Sequence, residues 1–135
     1  MRTSFQEQAI YHYMNLITEA ENRNLEFGKE IDVYLPRYRT GIEHNGDYFH
    51  PDRERDKRKF EYLKEKGIHL IQIYATDHVS VNGDIIEYEY NGSNYNSLEW
   101  AINKVFESLY SEYKIDNSRV WKFVIEDFVK IWIIM

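Results

Sequence analysis

Two carboxylates in the first third of the chain have a spacing that could bring them to one metal ion. Asp32 lies within the alternating segment of residues 30–36, and Glu43 lies within the short apolar segment of residues 39–44. Asp is depleted within β-strands, so an Asp in such a segment indicates a function. Carboxylates that hold Mg²⁺ can activate a water and spread the negative charge of phosphodiester hydrolysis. We therefore expect Asp32 and Glu43 to be catalytic residues that bind Mg²⁺ or Mn²⁺.

A histidine and a basic segment follow these acids. His50 ends the segment of residues 47–50, and its ordinary pKa near neutrality suits proton transfer or contact with a phosphate. From Arg53 to Lys66 there are seven basic residues against four acids. Arg and Lys contact nucleic-acid phosphates, so the residues expected to contact DNA are Arg53, Arg55, Lys57 and Arg58. The alternatives are a loop role for His50 and a solvated helix face for the basic residues.

A β-hairpin would position the two acids. Apolar and polar residues alternate over residues 30–36, which predicts a half-buried strand that ends at Pro36. Residues 39–44 predict a second strand, and the short connection favours an antiparallel hairpin. Asp32 and Glu43 could then share one face of the hairpin, but the pattern leaves the register of the two strands open.

Helices are predicted on both sides of this hairpin in the chain. Ser4 and Glu7 form the S-x-x-E capping box, and apolar residues at helical spacing extend the prediction over residues 4–20. Asp52 is suited to cap a second helix over residues 53–66. The capping box alone could explain Glu7, without any role for its carboxylate at a site.

The remaining segments predict further strands and helices. Residues 68–74 form an apolar run, and because it follows a helix, this strand could lie parallel to an earlier one. Residues 79–90 predict a hairpin that turns at Asn82-Gly83. Helices are expected over residues 98–113 and in the last segment, residues 118–135. That last segment is apolar enough to pack either on the domain or on a second copy of the chain. The second alternative would be a homodimer formed through the C-terminal segment.

The composition limits the class of protein. The chain has 135 residues, no Cys and a net charge of −6. The lack of Cys excludes disulfides and thiolate zinc sites and agrees with a cytoplasmic location. No apolar run reaches the roughly 18 residues of a membrane-spanning helix, so no membrane partner is expected. We expect one domain over residues 1–135, with a catalytic-type core at about 4–76 and a C-terminal hairpin and helices at 77–135.

Several segments in the first half of the chain together resemble a known group of nucleases. They are a helix, then E-I-D-V-Y-L-P, then G-I-E-H-N-G-D-Y-F-H, then R-D-K-R-K-F-E-Y-L-K-E-K-G-I-H-L-I-Q-I. In this order they resemble the very-short-patch-repair (Vsr)-like endonucleases and related homing-type nucleases of the PD-(D/E)XK fold. The resemblance covers roughly Ser4 to Tyr74. It implies an α/β domain with a restriction-endonuclease-like mixed β-sheet flanked by helices, and a Mg²⁺-dependent site that cleaves DNA.

The resemblance also implies roles for individual residues. Asp32 matches the metal-binding aspartate after the first helix, and His50 matches the histidine that ends the aromatic segment. Glu7 matches an acid of the first helix that can reach the metal site. An acid also recurs at the position of Asp56.

The sequence departs from the family pattern at one important position. The general pattern has a lysine where this chain has Asn45. The zinc site of the repair enzymes needs cysteines, so mismatch repair does not carry over to this chain. The alternative to a DNA endonuclease is therefore a catalytically inactive DNA- or protein-binding module on the same fold.

Overall fold

A six-stranded mixed β-sheet lies at the centre of the described part of the chain. The structure is a computed structural model that describes residues 4–45, 52–89 and 96–115, together with Lys130 and Ile133. The strands are β1 (Glu21–Asn24), β2 (Ile31–Leu35), β3 (Thr40–Asn45), β4 (His69–Thr76), β5 (Ser80–Asn82) and β6 (Ile85–Glu89). The helices in these residues are α1 (Phe5–Ile17), α2 (Arg53–Glu65) and α3 (Asn96–Tyr113), and a short 3₁₀ helix spans Pro36–Tyr38.

The strands follow the order β1-β2-β3-β4-β6-β5 across the sheet. β2 pairs antiparallel with β1 and with β3, whereas β4 pairs parallel with β3 and with β6. Helix α2 is the crossover between the parallel strands β3 and β4. The prediction of an α/β domain with a mixed sheet is therefore confirmed, as are the first hairpin and the parallel central strand.

The register of the first hairpin places the two predicted acids opposite each other. Val33 pairs with Ile42, and Leu35 pairs with Thr40. Because antiparallel partners shift by one residue in opposite directions, the next pair in this register is Asp32 and Glu43. The question that the sequence pattern left open is thereby answered.

Two apolar clusters hold the helices on opposite faces of the sheet. Ile42, Ile71 and Ile86 belong to the larger cluster, which also contains buried residues of α1 and α3. The smaller cluster contains residues of β2, β4 and α2, and its buried members are Ile31, Tyr34, Leu63, Ile68 and Leu70. Since successive side chains of a strand point to opposite faces, the α2 face of β3 carries Gly41, Glu43 and Asn45.

Polar caps fix where the first two helices begin. The Ser4 hydroxyl accepts a hydrogen bond from the Glu7 backbone N–H at 3.1 Å. The Asp52 carboxylate does the same for the Arg55 N–H at 3.0 Å. Both caps were predicted, but α1 ends at Ile17 rather than near residue 20. The polar residues that follow form the edge strand β1, which the sequence pattern did not predict.

Two of the predictions fall outside the described residues. His50 is one of them, and most of the C-terminal segment of residues 118–135 is the other. The homodimer through that segment therefore stays a prediction. Within the described residues, no helix is both long enough and apolar enough to cross a membrane.

Candidate active site

The two predicted metal ligands meet where β2 and β3 separate. Beyond the Val33–Ile42 pair, two backbone N–H groups donate to side-chain carboxylates of the opposite strand. The Asp32 N–H donates to Glu43 Oε1 at 3.1 Å, and the His44 N–H donates to Asp32 Oδ2 at 3.0 Å. Each carboxylate is thus held by a backbone group of the opposite strand, and the structure brings Asp32 and Glu43 together in one gap.

A lysine of α2 completes this arrangement. Lys59 Nζ lies 2.9 Å from Glu43 Oε1, and the Glu43 side chain is only 6% exposed. Lys59 was not among the residues that the sequence singled out. The signal that could have found it is helical spacing, because Lys59 lies three residues after Asp56 and four before Leu63, the two buried residues of α2. The face of α2 that packs on the sheet therefore also carries a residue of the candidate site.

Asp56 anchors α2 next to these residues. The Tyr74 hydroxyl donates to Asp56 Oδ2 at 2.8 Å, and the Gln72 side-chain amide donates to the Asp56 carbonyl at 3.1 Å. Burial and the hydrogen bond to Asp56 both raise the pKa of Tyr74, so its hydroxyl stays protonated and can donate. Asp56 therefore fixes the position of α2 over β4, and with it the position of Lys59.

Glu7 reaches the same site from the opposite side of the sheet. Its Oε2 accepts a hydrogen bond from the Asn22 side-chain amide at 3.0 Å, and the same amide nitrogen donates to the Asp32 carbonyl at 2.9 Å. The backbone N–H of Glu7 meanwhile bonds the Ser4 cap. The cap therefore uses only the backbone of Glu7, whereas its carboxylate contacts Asn22 and lies 4.0 Å from Arg23 Nε.

The electrostatics of the site favour an added cation. Burial, followed by the charges of Glu43 and Glu7, raises the pKa of Asp32 to about 7, against the opposing effects of the His44 N–H and the Lys59 charge. Burial also raises the pKa of Glu43, which Lys59 opposes. Lys59 pairs with Glu43 and Arg23 Nε lies 4.0 Å from Glu7 Oε2, so two cations stand against three neighbouring carboxylates. A cation bound here would stabilise the ionised form of both acids.

The donor set fits Mg²⁺ with most of its coordination left to water. Within the described ranges, no group of three or more His, Cys, Asp or Glu side chains is arranged to hold a metal ion. Mg²⁺, however, is commonly held by one or two carboxylates while it keeps several waters. Asp32 and Glu43 are the residues that would hold it, through their carboxylate oxygens.

The ring of His44 lies on the face of the sheet opposite to the Glu43 side chain. Its ring Nε2 lies 2.7 Å from the Tyr88 hydroxyl, on the face that α1 and α3 cover. Burial lowers the pKa of His44 to about 4, so its ring is neutral near pH 7. Only its backbone N–H contributes to the site.

A cleft rich in basic residues opens beside Glu43. It has a volume of about 450 Å³ and lies between β3, α2 and Lys29 of the turn that precedes β2. We call it the cationic cleft, and its lining residues are Lys29, Glu43, Asn45, Arg55, Asp56, Arg58, Lys59 and Tyr62. With four basic residues against two acids, it suits an anionic group such as a phosphate.

The other two predicted DNA contacts lie on the opposite side of α2. Arg53 and Lys57 line a second cleft of about 400 Å³ between α2 and the hairpin of β5 and β6. We call it the hairpin cleft, and its lining residues are Arg53, Glu54, Lys57, Phe60, Glu61, Gln72, Tyr74, Asn82, Asp84 and Ile85. The four predicted basic contacts are thus divided equally between two clefts.

The chain was compared with protein-family models, with curated proteins and with solved structures. None of the three comparisons gives a match.

Proposed function

We propose that this chain is a metal-dependent DNA endonuclease that hydrolyses phosphodiester bonds. The observation that carries the proposal is the opposed pair of carboxylates, Asp32 and Glu43, with Lys59 Nζ 2.9 Å from Glu43. Two acids and a lysine are groups that phosphodiester hydrolysis needs, and two of the three, Glu43 and Lys59, line the cationic cleft.

Each residue would have a distinct part in the reaction. A divalent ion on Asp32 and Glu43 would supply the charge that stabilises the transition state and activates the water. Lys59 holds Glu43 in place and directs a positive charge toward the scissile phosphate. The exposed side chains of Lys29, Arg55 and Arg58 would hold the flanking phosphates.

The topology supports a restriction-endonuclease-like version of the fold. The proposed site lies on a hairpin that follows the first helix, and a crossover helix then leads into a parallel central strand. This order agrees with the expectation from the resemblance to Vsr-like endonucleases. Lys59 would supply from α2 the ammonium group that Asn45 lacks.

The second candidate is a catalytically inactive module that binds DNA. Lys59 bonds an oxygen of Glu43 directly, so the lysine partly does what a metal ion would do there. A protein of this kind would retard DNA in a gel in a strongly salt-dependent manner but would not cut it.

Nicking of supercoiled plasmid separates these candidates. We expect nicking in Mg²⁺ or Mn²⁺, none in EDTA, and a loss of at least about 100-fold in Asp32→Ala and in Lys59→Met. The control is Glu107→Gln, which removes an exposed acid from α3. Absence of nicking with both metals, or full activity in Asp32→Ala, would exclude the endonuclease.

A further inference from the structure

Arg53 is held flat against an aromatic ring in the hairpin cleft. The centre of its guanidinium lies 3.4 Å from the ring centroid of Tyr74, which is the spacing of a stacked pair. The Tyr74 ring is itself fixed, because its hydroxyl donates to the buried Asp56. The Tyr74 ring therefore covers one face of the guanidinium. Because Tyr74 belongs to β4, the sheet fixes the orientation of the Arg53 side chain.

The charge of Arg53 is compensated from the side. Glu87 forms an ion pair with the Arg53 guanidinium, and the Glu87 side chain is only 15% exposed. His78 and Ser80 also contact this carboxylate, at 2.7 and 2.8 Å. Arg53 thus has little charge to offer a phosphate, although 40% of its side chain remains exposed. Arg53 lines the wall of the hairpin cleft, and Tyr74 and Glu87 hold its side chain in place there.

The hairpin cleft differs from the cationic cleft in charge. Among its described lining residues, two basic side chains stand against the acids Glu54, Glu61 and Asp84. Such a lining disfavours a phosphate. Its carboxylates can accept hydrogen bonds from the edge of a base, and its amides can both accept and donate them. Phe60 and Ile85 supply apolar surface. The volume of about 400 Å³ lies in the range of small-molecule sites.

We propose that the hairpin cleft binds an unpaired nucleobase, which stacks on the outer face of the Arg53 guanidinium. Guanidinium planes and aromatic rings are the surfaces on which proteins stack single-stranded bases. A base inside a duplex has both faces covered by its neighbours, so it has to leave the stack to enter this cleft. The nucleic acid that fits the chain is then a single strand, or a duplex with an unpaired segment.

The two clefts divide the recognition between them. Helix α2 separates them, so a strand that crosses α2 would place phosphate groups in the cationic cleft and a base in the hairpin cleft. The inference rests on the proposed nucleic-acid substrate, but it does not require that the substrate be cut.

Binding of fluorescent oligonucleotides in EDTA tests the inference without cleavage. We expect the wild-type protein to bind a single strand more tightly than the duplex of the same sequence. A strand with one abasic site at each position in turn should lose affinity at the position that enters the cleft. A 2-aminopurine at that position should change its fluorescence on binding, because stacking quenches it.

A charge-conserving substitution tests the role of Arg53. Arg53→Lys keeps the positive charge and can still contact Glu87, but it has no planar group to stack on. We expect affinity for the single strand to fall about fivefold to tenfold. The matched control is Arg37→Lys, which changes an exposed arginine of the 3₁₀ helix that lines neither cleft, and affinity should change less than about twofold.

Two results would overturn the inference. One is equal affinity for intact and abasic strands at every position, and the other is unchanged affinity in a correctly folded Arg53→Lys variant. The abasic series uses the wild-type protein, so the test survives if that variant does not fold. Base-dependent binding without any plasmid nicking would keep this inference and remove the endonuclease, which shows that the two proposals can fail separately.

Discussion

The carboxyl group of Asp32 connects stability to the proposed chemistry. It lies between two strands, with Glu43 and Glu7 near it, and its pKa is raised to about 7 from 3.8. The fold therefore favours the protonated acid, and ionisation of Asp32 in the folded protein costs free energy. An added cation would reverse this preference, because it stabilises the ionised form.

The free energy of unfolding should consequently depend on pH through this residue. The stabilisation from protonated Asp32 is fully present below about pH 4 and is lost as the pH rises through about 7. For the metal-free protein the loss attributable to Asp32 is on the order of 4 kcal/mol. Asp32→Asn keeps an oxygen that can accept from the His44 N–H, so it should remove this pH dependence.

Chemical denaturation in EDTA at pH 4, 6 and 8 measures the effect. The comparison is between wild type, Asp32→Asn and the control Glu107→Gln, which changes an exposed acid of α3. Added Mg²⁺ should restore stability to the wild type at pH 8 but not to Asp32→Asn. An equal slope with pH in all three proteins would contradict the predicted protonation of Asp32.

At the scale of the elements, the sequence predicts what local patterns control. Alternating apolar residues identified β2, and the side-chain cap at Asp52 identified the start of α2. The edge strand β1 was missed because its residues, ENRN, lack apolar alternation and pair through the backbone with β2. The parallel pairing of β6 with β4 also has no local signal, since it depends on how the second hairpin packs on the sheet.

The residues of the candidate site could likewise be predicted only where a local sequence pattern marks them. Asp32 and Glu43 were found because acids are unusual inside short apolar strands. Lys59 was missed because its contact with Glu43 exists only after α2 packs across β3. The contacts of Arg53 with Tyr74 and Glu87 could not be predicted, since neither residue is near Arg53 in the sequence.

The turn between β1 and β2 gives a prediction at this scale. Gly28 has a φ of +86°, and a Cβ added there would lie 2.6 Å from the Tyr62 hydroxyl oxygen. That hydroxyl donates to the Phe27 carbonyl at 2.9 Å, so it attaches the turn that carries Lys29 to α2. Gly28→Ala should therefore destabilise the protein through both backbone strain and the lost contact, by about 2–3 kcal/mol in total.

Gly83→Ala is the matched control for this turn. Gly83 also has a positive φ, +61°, but no atom of the described residues lies within 4 Å of an added Cβ. It should cost only the backbone strain, about 1 kcal/mol. Urea denaturation of both variants measures the difference. Equal losses would mean that the Tyr62 contact does not hold the turn to α2.

At the scale of the whole molecule, charge determines how a polyanion can approach. The chain has a net charge of −6, so at long range its net charge repels a polyanion. The cationic cleft has the opposite balance of charge, with four basic side chains against two acids. Electrostatic attraction would therefore direct a strand to the cleft that contains Glu43 and Lys59, and few phosphates would be contacted elsewhere.

The salt dependence of binding should report this small number of contacts. Lys59 is engaged by Glu43, which leaves the exposed residues Lys29, Arg55 and Arg58 for phosphates. For a single strand, three contacts give a slope of log K against log salt concentration of about −2, and Arg58→Ala should reduce it to about −1.4. Fluorescence anisotropy in EDTA over a salt series measures both slopes.

Lys104→Ala on α3, which removes a cation from the opposite face of the sheet, should leave the slope unchanged. A slope several times steeper, or one that responds equally to Lys104→Ala, would show that nucleic acid binds over a wider surface than the cationic cleft.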